Sequence, residues 1–478
     1  MSLQDEILEL KKLLSDALQE ISDLKSEIET LKSENAALKS RLNQNSKNSS
    51  NPPSRDGYQK DSLNLSRILR SDTKKQRGGQ IGHKGDTLRQ VEEPDKIIAY
   101  FPETCECGYK FDGTEKIHSS EKRQEFEIPP IQIEVIEHQI HKCQCPHCGK
   151  MQAGKAPNDI NSAVQYGNRI KSLLVLLSCH FKLPINKVQE LINHLLKTNI
   201  NEATIIDANA KSYAKLETTE KELQEQIIAS KVAHLDETGV RVAKELNWFH
   251  IATTELYTYI FPHAKRGLDA INSTKSVVPK LTNWVVHDCW ASYFSFTNVK
   301  HSVCLAHIIR ELQGIIDNNP NLKSIWAKDM QEFIIELIKL KNEGRVKQRA
   351  NILKDYDDIC KFGIALTSIS KPKIGKKGRV EKTKAQNLLN RLISLKAAVL
   401  AFAFNDEVPP TNNLAERNLR ATKVKMKVSN CFRSFEGAEY FARIHSFIAT
   451  CKQNNKNIFD EMYNTFCGFN FLTVKTGK

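Results

Sequence analysis

The chain lacks any long apolar run. Its longest, LLVLL at 173–177, is far shorter than the roughly 20 residues a membrane-spanning helix requires. No helix of this sequence is therefore expected to span a membrane, and no membrane partner is expected. MSLQDEILELKK is charged and does not suit a signal peptide, so a cytoplasmic, reducing setting is expected. Acidic residues are in short supply, 56 against 70 Lys and Arg, which leaves a formal charge of +14 and a pI near 9.1. Lys and Arg in surplus gain by displacing counterions from a polyphosphate, so nucleic acid leads the candidate partners, although ribosome-bound and membrane-surface proteins share this balance. The 12 cysteines are scattered except for a cluster at 105–148, a pattern that in a cytosolic chain points to metal rather than disulfides. At 478 residues the chain exceeds one ordinary core, so two or more folded units are expected.

What is present begins with a heptad repeat over residues 1–43. The a positions are Ile7, Leu14, Ile21, Ile28, Asn35 and Leu42; the d positions are Leu3, Leu10, Ala17, Leu24, Leu31 and Leu38. Ile-rich a with Leu-rich d favours two parallel strands, and a single Asn at a fixes register. Across such a pair, g faces the next e as Glu6–Lys11, Glu20–Lys25, Glu27–Lys32 and Glu34–Lys39, all attractive. A parallel coiled-coil homodimer is the expectation. The stretch 44–57, rich in Asn and Ser with paired Pro, stops the helix and reads as a flexible linker. Residues 58–95 form a basic, Gly-containing segment in which Lys74, Lys75, Arg77, His83 and Lys84 accompany GGQIGHKG; glycines beside cations let a backbone approach phosphates closely.

Residues 96–155 hold the cysteine cluster. Cys105 and Cys107 precede the alternating segment IQIEVIEHQIHKC, which reads as a strand, and Cys145 and Cys148 follow within CPHCG. Two close pairs flanking a β segment suit a structural, tetrahedral Zn²⁺, with Cys143, His141 or His147 as alternative ligands. Residues 156–230 read as helical, with a short TNINE break that leaves a helix-turn-helix open beside an ordinary helical subdomain.

From about 231 the texture changes to short apolar strands. KVAHLDETGVRV, NWFHIATT, LYTYIFPH and NWVVHDCW read as strands, and SVCLAHIIREL as a fifth running into a helix. Asp236 and Asp288 stand where apolar strands end, well placed to offer oxygen ligands to Mg²⁺ or Mn²⁺; Glu237 rivals Asp236, and periodicity does not choose between them. TNNLAERNLR reads as an Asn-capped helix start with Glu416 in its first turns and Arg420 one turn on. In-line attack on a phosphodiester needs a deprotonated attacking oxygen and a stabilised leaving oxygen, which two ions about 3.5–4 Å apart provide, and three acids are a natural minimum to hold them. A helical insertion over about 312–404 carries a basic run, KPKIGKKGRVEKTK, with Lys376, Lys377 and Arg379 as phosphate contacts. Arg417 and Arg420 would clamp a phosphate or pair with acids. His287 would orient Asp288 or cap a strand. Cys304 and His307 have metal-ligand spacing without a second pair nearby, which favours a packed or DNA-facing role.

Several longer motifs occur in order along the chain: NSKNSSNPPSRD, RGGQIGHKG, the paired cysteines, HLDETGVRV, VHDCWASY, CLAHIIREL, NNLAERNLR and KVSNCFRSFEGAEYFARIHSFIAT. In these the chain resembles bacterial insertion-sequence transposases of the insertion-sequence-sixty-six family, over nearly its whole length. The first cysteine pair is one residue shorter than the family's, and Thr411 stands where an acid often precedes NN. The resemblance implies an RNase H-like DDE domain over 231–450, with Asp236, Asp288 and Glu416 as first, second and third acids, and a C-terminal tail at 451–478. It also implies cutting at element ends, strand transfer into target DNA, and small accessory proteins. The expected fold class is thus multidomain α+β: a parallel coiled coil, a zinc-binding β module, a helical region and an RNase H-like α/β domain with a helical insertion. The expected function is a transposase acting on double-stranded DNA with Mg²⁺ or Mn²⁺ and structural Zn²⁺. The rivals are a non-catalytic DNA-binding regulator and a nuclease that cuts without joining.

Overall fold

The computed structural model describes residues 3–49, 88–114, 116–157, 159–318, 324–345, 348–367 and 382–472. Contacts divide the chain into two units, one of Met1–Asp72, Asp159–Gln189 and Ile200–Lys478, the other of Thr73–Asn158 and Glu190–Asn199. The architecture is mixed α/β. The basic positions Lys74, Lys75, Arg77, His83, Lys84, Lys376, Lys377 and Arg379 lie outside the described residues.

The heptad region is one uninterrupted helix, α1 (Leu3–Leu42). Its a and d side chains Leu10, Leu14, Ile21, Leu24, Ile28, Leu31, Leu38 and Leu42 are 47–83% exposed. No described part of the chain covers this stripe, and apolar surface of that extent is costly in water.

In the second unit, β1 (Lys142–Gln144) and β2 (Met151–Ala153) pair antiparallel, with Cys143 opposite Gln152. The strand expected over 131–143 forms only at its end, where Lys142 and Cys143 enter β1: residues 131–141 are in no strand, and Ile131, Val135, Ile136 and Ile140 are exposed. Alternation alone does not make a strand, because an isolated one leaves its backbone groups bonded only to water.

The first unit begins with helices. α2 (Asn168–Val175) runs on through a π turn, Leu176–His180. Then come α3 (Ile185–Leu196), α4 (Glu202–Lys215) and α5 (Glu217–Ile228). Asn201 caps α4, its side chain accepting the Thr204 N–H at 2.8 Å. The helical reading of 203–228 breaks at Leu216, whose buried side chain sits between the two helices.

Five strands follow: β3 (Val232–Val242), β4 (Glu245–Thr253) and β5 (Thr258–His263), then, after the short α6 (Leu268–Ile271), β6 (Trp284–His287) and β7 (Lys300–Val303). The sheet order is β5-β4-β3-β6-β7. β3, β4 and β5 form an antiparallel meander, while β6 pairs parallel with β3 and β7 parallel with β6. A long, two-sided strand such as β3 must bury both faces. Ala233 and Leu235 pack with Tyr259, Ile271 and Val285 on one side.

β7 runs into α7 (Leu305–Asn318), followed by α8 (Ile325–Asn342), α9 (Arg349–Leu366), α10 (Lys384–Ser394) and α11 (Lys396–Phe404). These five helices share one core around Trp326, Met330, Tyr356 and Leu389, which continues onto Val286 and Val303 of the sheet. α10 and α11, adjacent in sequence, are bent 57° at Leu395. No single helix among the described residues is long and apolar enough to cross a membrane. Lys341 of α8 donates to the carbonyls of Phe402 (2.6 Å), Asn405 (2.6 Å) and Val408 (2.9 Å). These bonds satisfy orphan carbonyls at the end of α11 and steer the chain back toward the sheet.

The return leads into α12 (Asn413–Ser429), α13 (Phe435–Gln453) and α14 (Ile458–Phe466). β5 is an edge strand, and α13 covers it: Ser446 Oγ accepts the Ile260 N–H at 2.8 Å and Thr450 Oγ1 accepts that of Thr258 at 3.1 Å. Those bonds remove a row of free donors that would otherwise invite another strand. The stretch read as a tail, 451–478, contains α14, whose Met462 and Phe466 are buried; its apolar face is short, which hid it from a longer window.

The linker also differs at its start. Asn48 is buried, donating to Asn43 O and to Asp317 Oδ2 on α7, each at 2.9 Å, while its Oδ1 accepts the Asn45 N–H at 2.8 Å. Asn side chains supply the bonds that a non-helical backbone lacks. The approach needs Gly314, because a Cβ there would stand 2.4 Å from Asn48 O. The rest of the linker, 50–57, lies outside the described residues.

Candidate active site

β3 pairs with β6 over three positions only, Val232–Trp284, Ala233–Val285 and His234–Val286. Extending that register by two residues sets Asp236 level with Asp288, just past the end of β6. Neighbouring strands lie about 4.7–4.9 Å apart, so the sequence delivers two carboxylates side by side at the point where the sheet opens. Asp236 Oδ1 accepts the Glu237 N–H at 2.9 Å, and Asp288 Oδ1 accepts the Trp290 N–H at 2.9 Å.

Glu416 reaches the same place from α12. Asn412, which precedes that helix and is buried, organises the junction. Its Nδ2 donates to Leu235 O at 2.7 Å, its Oδ1 meets His234 Nδ1 at 3.0 Å, and its backbone N–H points to Cys304 Sγ at 3.1 Å. The expected side-chain cap of α12 is therefore absent: Asn412 spends its amide on β3 instead. Asn418 ties the next turn to the meander, donating to Thr253 Oγ1 (3.1 Å) and Thr258 Oγ1 (3.0 Å). Asn412→Ala should cost about 2–3 kcal/mol, because Leu235 O loses its buried donor along with the Asn amide. Urea unfolding measures it, and an unchanged midpoint would refute the role.

Electrostatics marks Asp236 as the unusual group. Burial, then the charges of Glu237, Glu416 and Asp288, push its carboxyl up to about 8. Burial also raises Asp288. Glu237 is a different case. Arg266 holds its Oε1 through Nε (2.9 Å) and Nη2 (2.6 Å), and Tyr293 OH donates to Oε2 at 2.6 Å. The Arg266 guanidinium is itself stacked on Trp248 (4.9 Å) and Trp290 (4.6 Å). Both Glu237 oxygens are thus committed, whereas among the described residues Asp236's carboxylate is bonded by its neighbour's N–H alone.

His287 is fully buried. Its Nδ1 meets the Asp288 carbonyl and its Nε2 meets His301 Nδ1 at 2.9 Å, so it touches the backbone of Asp288 rather than its carboxylate. Arg417 and Arg420 are exposed on α12, together with Lys423 and Lys427. Cys304 and His307, read as packed or DNA-facing, instead converge on Glu416. Sequence reasoning missed Arg266, Tyr293 and Asn412, although the last two lie inside quoted motifs. It also missed Lys182, Lys425 and Lys452, three cations from separate segments. Lys182 is held below the usual lysine range by burial and by the other two, and Lys425 by burial.

The cysteine turns are alike. Gly108 and Gly149 adopt positive φ (91° and 69°) directly after Cys107 and Cys148. The Gly108 N–H reaches Cys105 O and the Gly149 N–H reaches Cys145 O, both at 2.8 Å. Backbone N–H groups of Cys107, and of Cys148 and His147, lower the Cys105 and Cys145 thiols respectively, an environment that suits thiolate ligands. Each turn therefore fits half of a zinc site. The two halves do not converge here: among the described residues, the one group of three or more His, Cys, Asp or Glu with ligand atoms within 4.8 Å of one another is Cys304, His307 and Glu416.

Comparison with known proteins accords with both regions. Residues 102–149 match the model described as the zinc-finger binding domain of transposase IS66, and residues 3–89 match a family of unknown function. No curated protein matches the chain. Residues 163–440, which carry the whole sheet, the helical insertion and Glu416, match the model of the transposase IS66 family. With more than half its length in that match, the chain belongs to the transposase IS66 family.

Proposed function

We propose that the protein is a DDE-type transposase that cuts double-stranded DNA at the ends of its element and joins the freed 3′-hydroxyls to target DNA. One observation carries the reading: the register of β3 and β6, extended by two residues, brings Asp236 level with Asp288 just past the end of β6, with Glu416 close enough that its charge raises Asp236. The charges of Glu416 and Asp288 raise Asp236, and hard divalent ions such as Mg²⁺ or Mn²⁺ relieve such repulsion through oxygen ligands. The donor set thus fits such ions. The strand order, a three-stranded meander extended by two parallel strands, supports an RNase H-like domain with α8 to α11 inserted before its last acid.

Bound there, two divalent ions would supply the acidity that deprotonates an attacking oxygen and stabilises the leaving one. The chain's own groups do the rest. Asp236 on β3 and Asp288 just past the end of β6 would offer two ligands from the sheet, and Asn412 holds α12 so that Glu416 faces them. The Glu237–Arg266–Tyr293 cluster anchors the backbone beside Asp236. Arg417, Arg420, Lys423 and Lys427 present an exposed basic stripe that follows Glu416 along α12, and Lys182, Lys425 and Lys452 add a second group of cations for phosphates. Structural Zn²⁺ would be held by Cys105, Cys107, Cys145 and Cys148, with no part in the chemistry.

The exposed a/d stripe of α1 supports a parallel homodimer, which suits a reaction on two DNA ends. Deleting residues 1–43 should halve the sedimentation mass in dilute solution, and an unchanged mass would sink the dimer. For the activity itself, purified protein is incubated with DNA carrying the element's inverted ends and Mg²⁺ or Mn²⁺. Nicked and strand-transfer products are expected; cutting without joining would favour a nuclease, and binding alone a regulator.

A further inference from the structure

Cys304-x2-His307 reads in the sequence as half of a metal motif whose other half is missing. In the fold the third donor is Glu416. One ligand atom from each of Cys304, His307 and Glu416 lies within 4.8 Å of the other two. Cys304 directly follows β7, its side chain fully buried, and accepts the Asn412 backbone N–H at 3.1 Å. N–H groups aimed at sulfur are characteristic second partners of thiolate ligands. His307 lies on the first turn of α7 and Glu416 on the first turn of α12, so two helix starts bring their side chains together.

Two polar atoms in this cluster lack partners among the described residues. His307 Nδ1 and Glu416 Oε1 are both buried with no hydrogen bond. His307 Nε2 stands 3.8 Å from Glu416 Oε1, too far for a hydrogen bond. Two ligands each about 2.1 Å from a tetrahedral zinc stand about 3.4 Å apart, so the gap is near the size of a shared ion. Glu416 Oε1, buried and unpaired on the side that faces His307 Nε2, calls for a missing partner. Sulfur, nitrogen and oxygen together select zinc-class ions over magnesium, which takes oxygen donors.

We propose that Cys304, His307 and Glu416 form a binding site for one zinc-class ion, distinct from the cysteine turns at 105–148 and adjoining the Asp236–Asp288 pair. Binding exchanges the Cys304 thiol proton, released to solvent, for a metal–sulfur bond, with no change of oxidation state. The site's existence does not depend on the catalytic reading. Its consequence does: Glu416 is claimed by two ions of different chemistry, so excess zinc slows magnesium-dependent cutting.

The test is the zinc content of the full-length chain, equilibrated with Zn²⁺, desalted and measured by mass spectrometry of the metal. Cys304→Ser and His307→Gln should each lose one zinc per chain relative to wild type. The double variant Cys145→Ser/Cys148→Ser should lose a different one and keep the Cys304 site. In that double variant loaded with Co²⁺, the cobalt–thiolate absorption should persist and should vanish when Cys304→Ser is added. Thermal melts identify any variant that fails to fold, which is why two independent substitutions are used. Unchanged zinc content in folded Cys304→Ser and His307→Gln, as a bridging water or a direct His307–Glu416 contact would give, overturns the proposal. Asp236→Asn separates the two readings: it should abolish cutting and leave zinc content as in wild type. Cutting retained in Asp236→Asn would refute the catalytic reading while leaving this site intact.

Discussion

Asp236→Asn protein should fold, bind element ends and cut them on the order of 10³-fold more slowly, or worse. The substitution keeps shape and keeps an oxygen to accept the Glu237 N–H, so the strand has no reason to move. What it removes is a ligand charge, and several kcal/mol of transition-state stabilisation are then lost at tenfold per 1.36 kcal/mol. Asp288→Asn retains the bond from Trp290 N–H and should behave alike, as should Glu416→Gln. Glu237→Gln is the informative contrast. Its carboxylate is bound by Arg266 and Tyr293, so its loss should appear first as instability of about 1–3 kcal/mol, reduced because Arg266 is partly exposed. Single-turnover cutting and urea unfolding of the four variants give the comparison. Wild-type cutting by Asp236→Asn, or a selective catalytic loss in a fully stable Glu237→Gln, would reverse the assignment.

The second large effect is on stability against pH. Asp236 has its carboxyl raised from 3.8 to about 8 in the folded protein. A group raised on folding contributes stability in full below its unfolded value and loses it as pH rises through the folded one. Metal-free protein should therefore weaken between about pH 4 and pH 8. The loss from pH 6 to pH 8 is about 2 kcal/mol at up to 1.36 kcal/mol per unit, or about 4–8 °C in melting temperature for a domain of this size. Mg²⁺ or Mn²⁺ should restore more stability at pH 8 than at pH 6, because the ion replaces the proton that the site otherwise retains. Asp236→Asn should flatten both the pH slope and the metal response. Melting curves in chelator and in Mg²⁺ at the two pH values decide it; a metal response in Asp236→Asn equal to that of wild type would contradict it.

Much of this arrangement was legible in the sequence because it is local. VAHL and VVH are apolar runs ended by an acid, and they became β3 and β6 with the acids past their last parallel pairing. Adjacent residues on a strand face opposite ways, so alternation alone left Asp236 and Glu237 equal candidates. The difference between them comes from Arg266 and Tyr293, which lie 29 and 56 positions away. No window along the chain contains that information. Asn412 misled for a related reason: its type suits a helix cap, yet a strand carbonyl competed for its amide and won. The segment 131–141 shows the opposite failure, a strand pattern without the neighbour that a strand requires. Glu416 as the missing third donor to Cys304 and His307 needed the whole insertion to be folded first, since over a hundred residues separate them in sequence.

The docked turn after α1 gives the heptad helix a mechanical character. Asn48 is clasped by Asp317 and seated on Gly314, so the base of a rod of 40 residues, about 60 Å long, is clamped to the catalytic body. A clamped rod transmits rotation. Each residue inserted into it turns everything beyond by about 100°, whereas seven residues restore the phase of the apolar seam. In a pair joined through α1, inserting one or four residues before Leu42 would therefore re-aim the two bodies like keys cut on one shaft, whereas inserting seven would keep their aim. On the proposed dimer, the helix would set the angle at which two DNA ends meet, and its length in residues would tune their alignment.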